Sequence, residues 1–220
     1  MGDEPAIQTG GRSPKWDVSI VIYVVGDPDV VKEQLVAIAD NSAEQIRYEV
    51  LGIYQQPSTE MDAFLSSIEG AFRVIRAASE ETDEAILGRV VAESVADQVI
   101  FLAYGVVPMS GWLEGLLTAS RQVMDSKVIV GTRLVDSMGL IAQAGICFDS
   151  SGWPVPFGKN QRSGWWHSQE SQSYLQAVAS NCVMVSQDAL AVAPISVLVL
   201  TDSGAFVSYC LEAGGSGVAV

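Results

Sequence analysis

Four short runs rich in β-branched and aliphatic residues, VSIVIYVV (18–25), YEVLGIY (48–54), FRVIRA (72–77) and DQVIFLA (97–103), constrain this chain more than any other feature. Such runs suit strands buried on both faces, and the segments between them carry apolar residues at helical spacing. After the first run, Asp27 and Pro28 have the chemistry of a helix cap and first helical residue, and Val30, Val31, Leu35 and Ile38 fall on one face. The same reading predicts a helix from about 58 to 68, another from Thr82 with Ile86, Leu87, Val90 and Val91 inward, and a third capped by Ser110 carrying Leu113, Leu116 and Leu117. KVIVGTRLV (127–135) reads as one further strand. Strands alternating with helices over the first 135 residues imply an α/β fold with a doubly wound, mostly parallel sheet covered on both faces. Ligands of such sheets bind at the carboxyl ends of the strands, so chemistry is expected after Val25, Tyr54 and Leu102.

The second half changes rhythm. GLIAQAGICFDSSGWPVPF (139–157) reads as hairpins, a polar loop with Trp165, Trp166 and His167 follows, and LQAVASNCVMVS (175–186) returns as a strand. A closing helix over 206–213 is expected to end at a left-handed cap formed by Gly214 and Gly215, before a last strand, GVAV. The organisation expected is a flexible polar arm over residues 1–16 and a single domain over 17–220.

Charge and composition narrow the partners. The formal charge of −14 disfavours a polyanion, so nucleic acid is not expected. Hydrophobic residues make up 49% of the chain, yet no apolar stretch reaches the ~20 residues of a membrane helix, the longest being broken by Pro194. The polar start lacks a signal-type apolar stretch, which points to the cytoplasm. Three cysteines, Cys147, Cys182 and Cys210, lie in apolar surroundings without metal-ligand spacing and read as reduced, buried thiols.

The pieces VSIVI, EVLGIY, ADQVIFL, VPMSGWLEGLL, VIVGTRLVDSMGLIAQAG with FDSSGWP, QAVASNCVMVSQDAL and LEAGGSGVAV come in an order and spacing that resemble a family 2 glycosyltransferase of GT-A fold over roughly residues 17–220. The resemblance implies a nucleotide-sugar site at the carboxyl ends of the strands, and a chain shorter at its C-terminus than the family. The family's active-site residues, carried over position by position, are mostly replaced. Where members show a proline and a tyrosine-asparagine pair near the nucleotide, this chain has Tyr23-Val24-Val25-Gly26. Tyr54 and Gln55 stand where the base-contacting aspartate is expected, although Ser58-Thr59-Glu60 keeps part of the following motif. The aspartate-any-aspartate turn that would hold Mg²⁺ or Mn²⁺ corresponds to Ala103-Tyr104-Gly105, and of the late acidic pair only Asp202 remains as a weak candidate base.

Hard divalent cations need oxygen ligands, and a diphosphate leaving group needs its developing charge neutralised. Alanine and glycine supply neither, so no metal and no cofactor is expected. Arg73, Arg76 and Arg133 are the basic residues that folding could bring close. Tyr54 and Tyr104, read as ending neighbouring strands, are expected to fill part of the nucleotide space. Trp153, Trp165 and Trp166 suit a protein interface or stacking on sugar rings, with simple loop packing the commonest explanation. His167 lacks an acidic or cysteine partner and reads as a loop residue, and the acidic cluster from Glu80 to Glu84 favours the positive end of the helix it precedes.

The function expected is a glycosyltransferase-like domain without catalysis, serving as a binding or structural component among other protein chains. The alternative is an active, metal-independent transferase, the one case in which a nucleotide-sugar is a partner. A lectin-like module using the tryptophans is a third class.

Overall fold

A computed structural model describes residues 16–78, 80–162, 175–195 and 203–220. Strands β1 (Val18–Tyr23), β2 (Tyr48–Tyr54), β3 (Phe72–Arg76) and β4 (Gln98–Leu102) alternate with helices α1 (Pro28–Asn41), α2 (Thr59–Ser66) and α3 (Asp83–Glu93). Helix α4 (Trp112–Gln122) follows, then β5 (Ile129–Gly131), β6 (Leu134–Val135), β7 (Ile141–Gln143), β8 (Ile146–Phe148), β9 (Pro154–Pro156), β10 (Cys182–Ser186), α5 (Gln187–Val192) and α6 (Ser203–Gly215). The central sheet runs β3-β2-β1-β4-β10-β5. β3, β2, β1 and β4 are parallel, whereas β10 lies antiparallel to both β4 and β5, so the sheet is mostly parallel and mixed at one side.

Alternation along each strand divides the apolar residues between two cores. Val21, Leu51, Ile53, Val99, Phe101, Val183 and Val185 face a cluster with Ile86, Leu87 and Val90 of α3 and Phe206 and Cys210 of α6. Ile20, Ile22, Val50, Ile100, Leu102 and Met184 face the opposite cluster, with Val31 and Ile38 of α1, Met61 of α2 and Leu113 and Leu116 of α4. Both faces are covered, which is why these strands are apolar at successive positions rather than at every second one.

Local chemistry sets most element starts. Asp27 caps α1 by accepting from the Asp29 amide at 2.9 Å, with Pro28 in the first turn. Ser58, Thr82 and Ser186 cap α2, α3 and α5 in the same way. Ser110 does not cap α4: that position belongs to Gly111, whose φ of 80° lies in the left-handed region, and no side chain caps the helix. Residues 127–135 do not form one strand but break into β5 and β6, because β5 pairs with β10 whereas β6 leaves to pair with β7. Of the strand expected over 175–186, only β10, from Cys182, forms, and Ala177 makes a separate bridge to Ile146.

The chain's end differs from expectation by one turn. Gly214 and Gly215 belong to α6, and the left-handed residue is Gly217, with φ 82°. The Val218 amide then reaches back to the Ala213 carbonyl at 3.0 Å, the closing bond of a Schellman-type cap. GVAV contributes only a single parallel bridge, Val128 to Ala219. No helix among the described residues is long and apolar enough to cross a membrane.

Candidate functional site

At the carboxyl edge of the sheet, β1 is flanked by β2 on one side and β4 on the other. The turn after β4 is the centre of this edge. The Val106 amide bonds to the Ala103 carbonyl at 3.2 Å across Tyr104 and Gly105, and Gly105 takes the φ of 75° that such a turn requires at its third residue. Two further contacts fix the turn. The Ala103 amide donates to the Asn181 carbonyl at 2.8 Å, tying it to the start of β10. From below, the fully buried Gln34 of α1 donates through Nε2 to the carbonyls of Ala103, at 2.8 Å, and Val106, at 3.1 Å.

Fixed in this way, Tyr104 crosses the end of β1. Its hydroxyl accepts from the Asp27 amide at 3.2 Å, and a Cβ built on Gly26 would lie 2.9 Å from that oxygen. The ring is 38% exposed and lies over the loop between β1 and α1. Gly26 is therefore doubly constrained: its φ of 71° disfavours a side chain and Tyr104 occupies the space one would need.

The other residues that the sequence resemblance singles out do not gather around this tyrosine. Tyr54 ends β2, which is separated from β4 by β1, so the two tyrosines do not stand on neighbouring strands. Tyr54 is also 1% exposed and packs into the core shared with α1 and α2. Its hydroxyl accepts from the Ser58 amide at 2.8 Å and donates to the Ser58 carbonyl at 3.3 Å, closing the loop before α2 from beneath. Tyr23 packs against the opposite core, with α3 and α6, and Gln55 lies exposed in the loop after β2. Sequence position brings these residues to one edge, but strand alternation sends the side chains to different layers.

The basic residues are engaged elsewhere. Arg73 pairs with the buried Glu49 at 3.0 Å and with Glu93 at 3.5 Å. Arg76 stacks its guanidinium 4.9 Å from the Tyr54 ring centroid and pairs with Asp62 at 2.9 Å. Arg133 is exposed just beyond β5. Glu81 of the acidic cluster pairs with Arg89 at 2.7 Å, and its carboxyl is held below the usual range chiefly by the Ala78 amide, with Arg89 adding to the effect. Among the described residues, no group of three or more His, Cys, Asp or Glu side chains is placed to hold a metal ion.

Behind the turn, Cys182 pairs across from Leu102, and burial pushes its thiol up to about 11. Burial raises Cys210 to about 11 as well. Cys147 departs from the expectation of a buried thiol, since it lies half-buried on the short strand β8. Trp153, on the β8–β9 hairpin, is 70% exposed, while Trp165, Trp166, His167 and Asp202 lie outside the described residues. Sequence reasoning missed Gln34. The available signal was a glutamine on the same helical face as Val31 and Ile38, where an apolar residue is the ordinary choice.

No protein-family profile matches the chain, and no curated protein matches it. Solved structures do. That of GalNAc-T7 with UDP, GalNAc and Mn²⁺ superposes with a TM-score of 0.61 at 10% identity, over 82% of this chain and 37% of that one. Another, the mannosyltransferase PcManGT from Pyrobaculum calidifontis in complex with GDP-Man and Mn²⁺, gives a TM-score of 0.51 at 8% identity, over 80% of this chain and 46% of that one. This chain thus spans less than half the length of either neighbour. At such identities the likeness establishes the architecture alone, and that architecture is the GT-A glycosyltransferase fold.

Proposed function

We propose that the chain is a GT-A-like domain that has lost donor chemistry and serves as a binding or structural component of a protein assembly. One observation carries the first half of this reading: Tyr104, in the turn where the fold's metal-binding acids are expected, lies across the end of β1 with its hydroxyl on the Asp27 amide. A diphosphate and its cation would need oxygen ligands and free space there. The turn offers the methyl of Ala103, a neutral phenol and a glycine, and both Arg73 and Arg76 are committed to acidic partners. The second half is supported by exposed apolar side chains, among them Trp153, Met109 and Met138, since aromatic residues and methionine are enriched in interfaces.

Titration calorimetry with UDP- and GDP-sugars in Mn²⁺ tests the first half, and the outcome expected is no saturable heat. Micromolar binding that disappears with chelator would instead favour a metal-dependent transferase, since both structural neighbours hold a nucleotide and Mn²⁺. Binding that survives chelator would favour the metal-independent alternative. For the second half, a chain that runs as a monomer in light scattering at high concentration, with no co-purifying protein from its source, would remove the assembly role. Trp153→Ala should weaken the association without lowering the thermal midpoint.

A further inference from the structure

The central sheet ends, on the side away from β5, at β3. The Val50 amide bonds to the Ala71 carbonyl at 2.9 Å, and the Ala77 amide to the Tyr54 carbonyl at 3.0 Å. Because a parallel ladder uses alternate residues, Arg73 and Ile75 also turn their amides and carbonyls to β2, whereas Phe72, Val74 and Arg76 turn theirs outward. Among the described residues the outward groups of Phe72 and Val74 have no hydrogen-bond partner. The Arg76 carbonyl accepts from Arg89 Nη2 at 2.9 Å and keeps its second lone pair. Such a row of unpaired groups is a template for another strand.

The row is complementary to itself. Residues 72, 74 and 76 are symmetric about Val74, so a second copy related by a two-fold axis there would lie antiparallel and meet each outward donor with an acceptor. Directly opposite residues share a face of the sheet, which sets Val74 against its counterpart, Phe72 against Arg76 and Arg73 against Ile75. No guanidinium then stands opposite another. The Phe72 ring meets a cation, as the Tyr54 ring already does within the chain, where Arg76 lies 4.9 Å from its centroid. An axis one residue earlier would set Arg73 against itself, which like-charge repulsion disfavours. The edge cations are also matched within the chain, Arg73 by Glu49 and Glu93, Arg76 by Asp62 and Arg89 by Glu81, so the strip presents no single-sign charge that would repel its copy.

We infer that β3 pairs with β3 of a second copy, antiparallel about Val74, joining two sheets into one. This names a partner for the assembly half of the function proposed above and rests on that half, but not on the state of the Tyr104 turn.

Sedimentation equilibrium of the full chain tests it, at about 0.3 M salt so that the repulsion between two chains of charge −14 is screened. A monomer–dimer equilibrium with a dissociation constant of about 1–100 µM is expected, as suits a contact at the small end of the range for specific interfaces. Amide exchange should slow with protein concentration at Phe72, Val74 and Arg76, and not at Arg73 and Ile75, which are bonded to β2 within one chain. Val74→Pro removes an outward amide while leaving the β2 ladder intact, a change that edge strands accept, and should weaken the dimer at least about tenfold. A chain that stays monomeric at the highest concentration would overturn the inference. So would a dimer whose exchange slows elsewhere but not at these three amides, or one that Val74→Pro, folded by its far-UV spectrum, leaves unchanged. A monomeric chain that still co-purifies with other proteins would remove the second copy and leave the assembly reading standing.

Discussion

The two edges of the sheet are built from opposite materials. At the carboxyl edge, where open α/β sheets bind their ligands, the turn after β4 carries no charged side chain and is closed by a tyrosine hydroxyl that accepts from a backbone amide. At the amino edge, charge reaches the interior. Glu49 is 3% exposed, yet it accepts from the Ser19 hydroxyl at 2.8 Å, from Arg73 at 3.0 Å and from the Val95 amide at 3.4 Å. Ser19, Glu49 and Arg73 come from β1, β2 and β3, all on the face that meets α3, so this network ties three strands to the end of that helix. The contrast teaches that a fold fixes where a site can be, whereas the residues there decide whether ionic groups work on a ligand or on the protein itself.

The largest effect that can break this contrast is expected at Glu49. Glu49→Ala strands the Ser19 hydroxyl and leaves Arg73 without its buried partner. Because Arg73 is itself about half exposed, the expected loss is about 2–3 kcal/mol, below the full cost of breaking a wholly buried pair. Chemical denaturation measures it. A loss smaller than that from any carboxyl-edge substitution would mean that the amino-edge charges are incidental to stability.

Next is Gln34→Ala, which removes the donor to two carbonyls of the closing turn and should cost about 1–2 kcal/mol. Faster amide exchange at 103–106 should accompany it, because the turn loses its support from α1. A loss without that local effect would show the turn to be held by Asn181 alone.

Smaller still is the coupling between Gly26 and Tyr104. Gly26→Ala incurs both the left-handed φ and the close approach to the tyrosine oxygen, and Tyr104→Ala can relieve only the second. A double-mutant cycle should therefore give a coupling of about 0.5–1 kcal/mol. Strict additivity would remove Tyr104 from the place described here.

The least perturbing test is thiol labelling near pH 8. Cys147 should react first, whereas Cys182 and Cys210, buried and pushed up to about 11, carry little thiolate and should react only at the rate of opening. Since Cys182 pairs with Leu102 directly behind the closing turn, labelling of Cys182 as fast as Cys147 would show that the carboxyl edge opens readily.

Much of the architecture was legible from local pattern. Doubly buried strands must be apolar throughout, so β1, β2 and β4 stand out in the sequence, and Asp27, Ser58 and Thr82 announce helix starts through the short-range chemistry of their side-chain oxygens. Harder to read were the elements whose limits come from distant partners. The break between β5 and β6 reflects pairing with β10 and β7, and the cap at Gly217 rather than Gly214 reflects where α6 finally ends.

The sequence by itself determined that the turn at 103–105 carries no acid and that tyrosines stand at 54 and 104. It did not determine what those tyrosines do. Tyr54 and Tyr104 look alike as a pair, yet one closes a loop from inside the core while the other lies across the end of β1. Only tertiary structure could separate them, because a side chain's layer follows from strand parity and from which strands become neighbours, and its partner follows from loops far away in the chain. The same reason hid Gln34, whose polar end is satisfied by carbonyls 69 and 72 residues away.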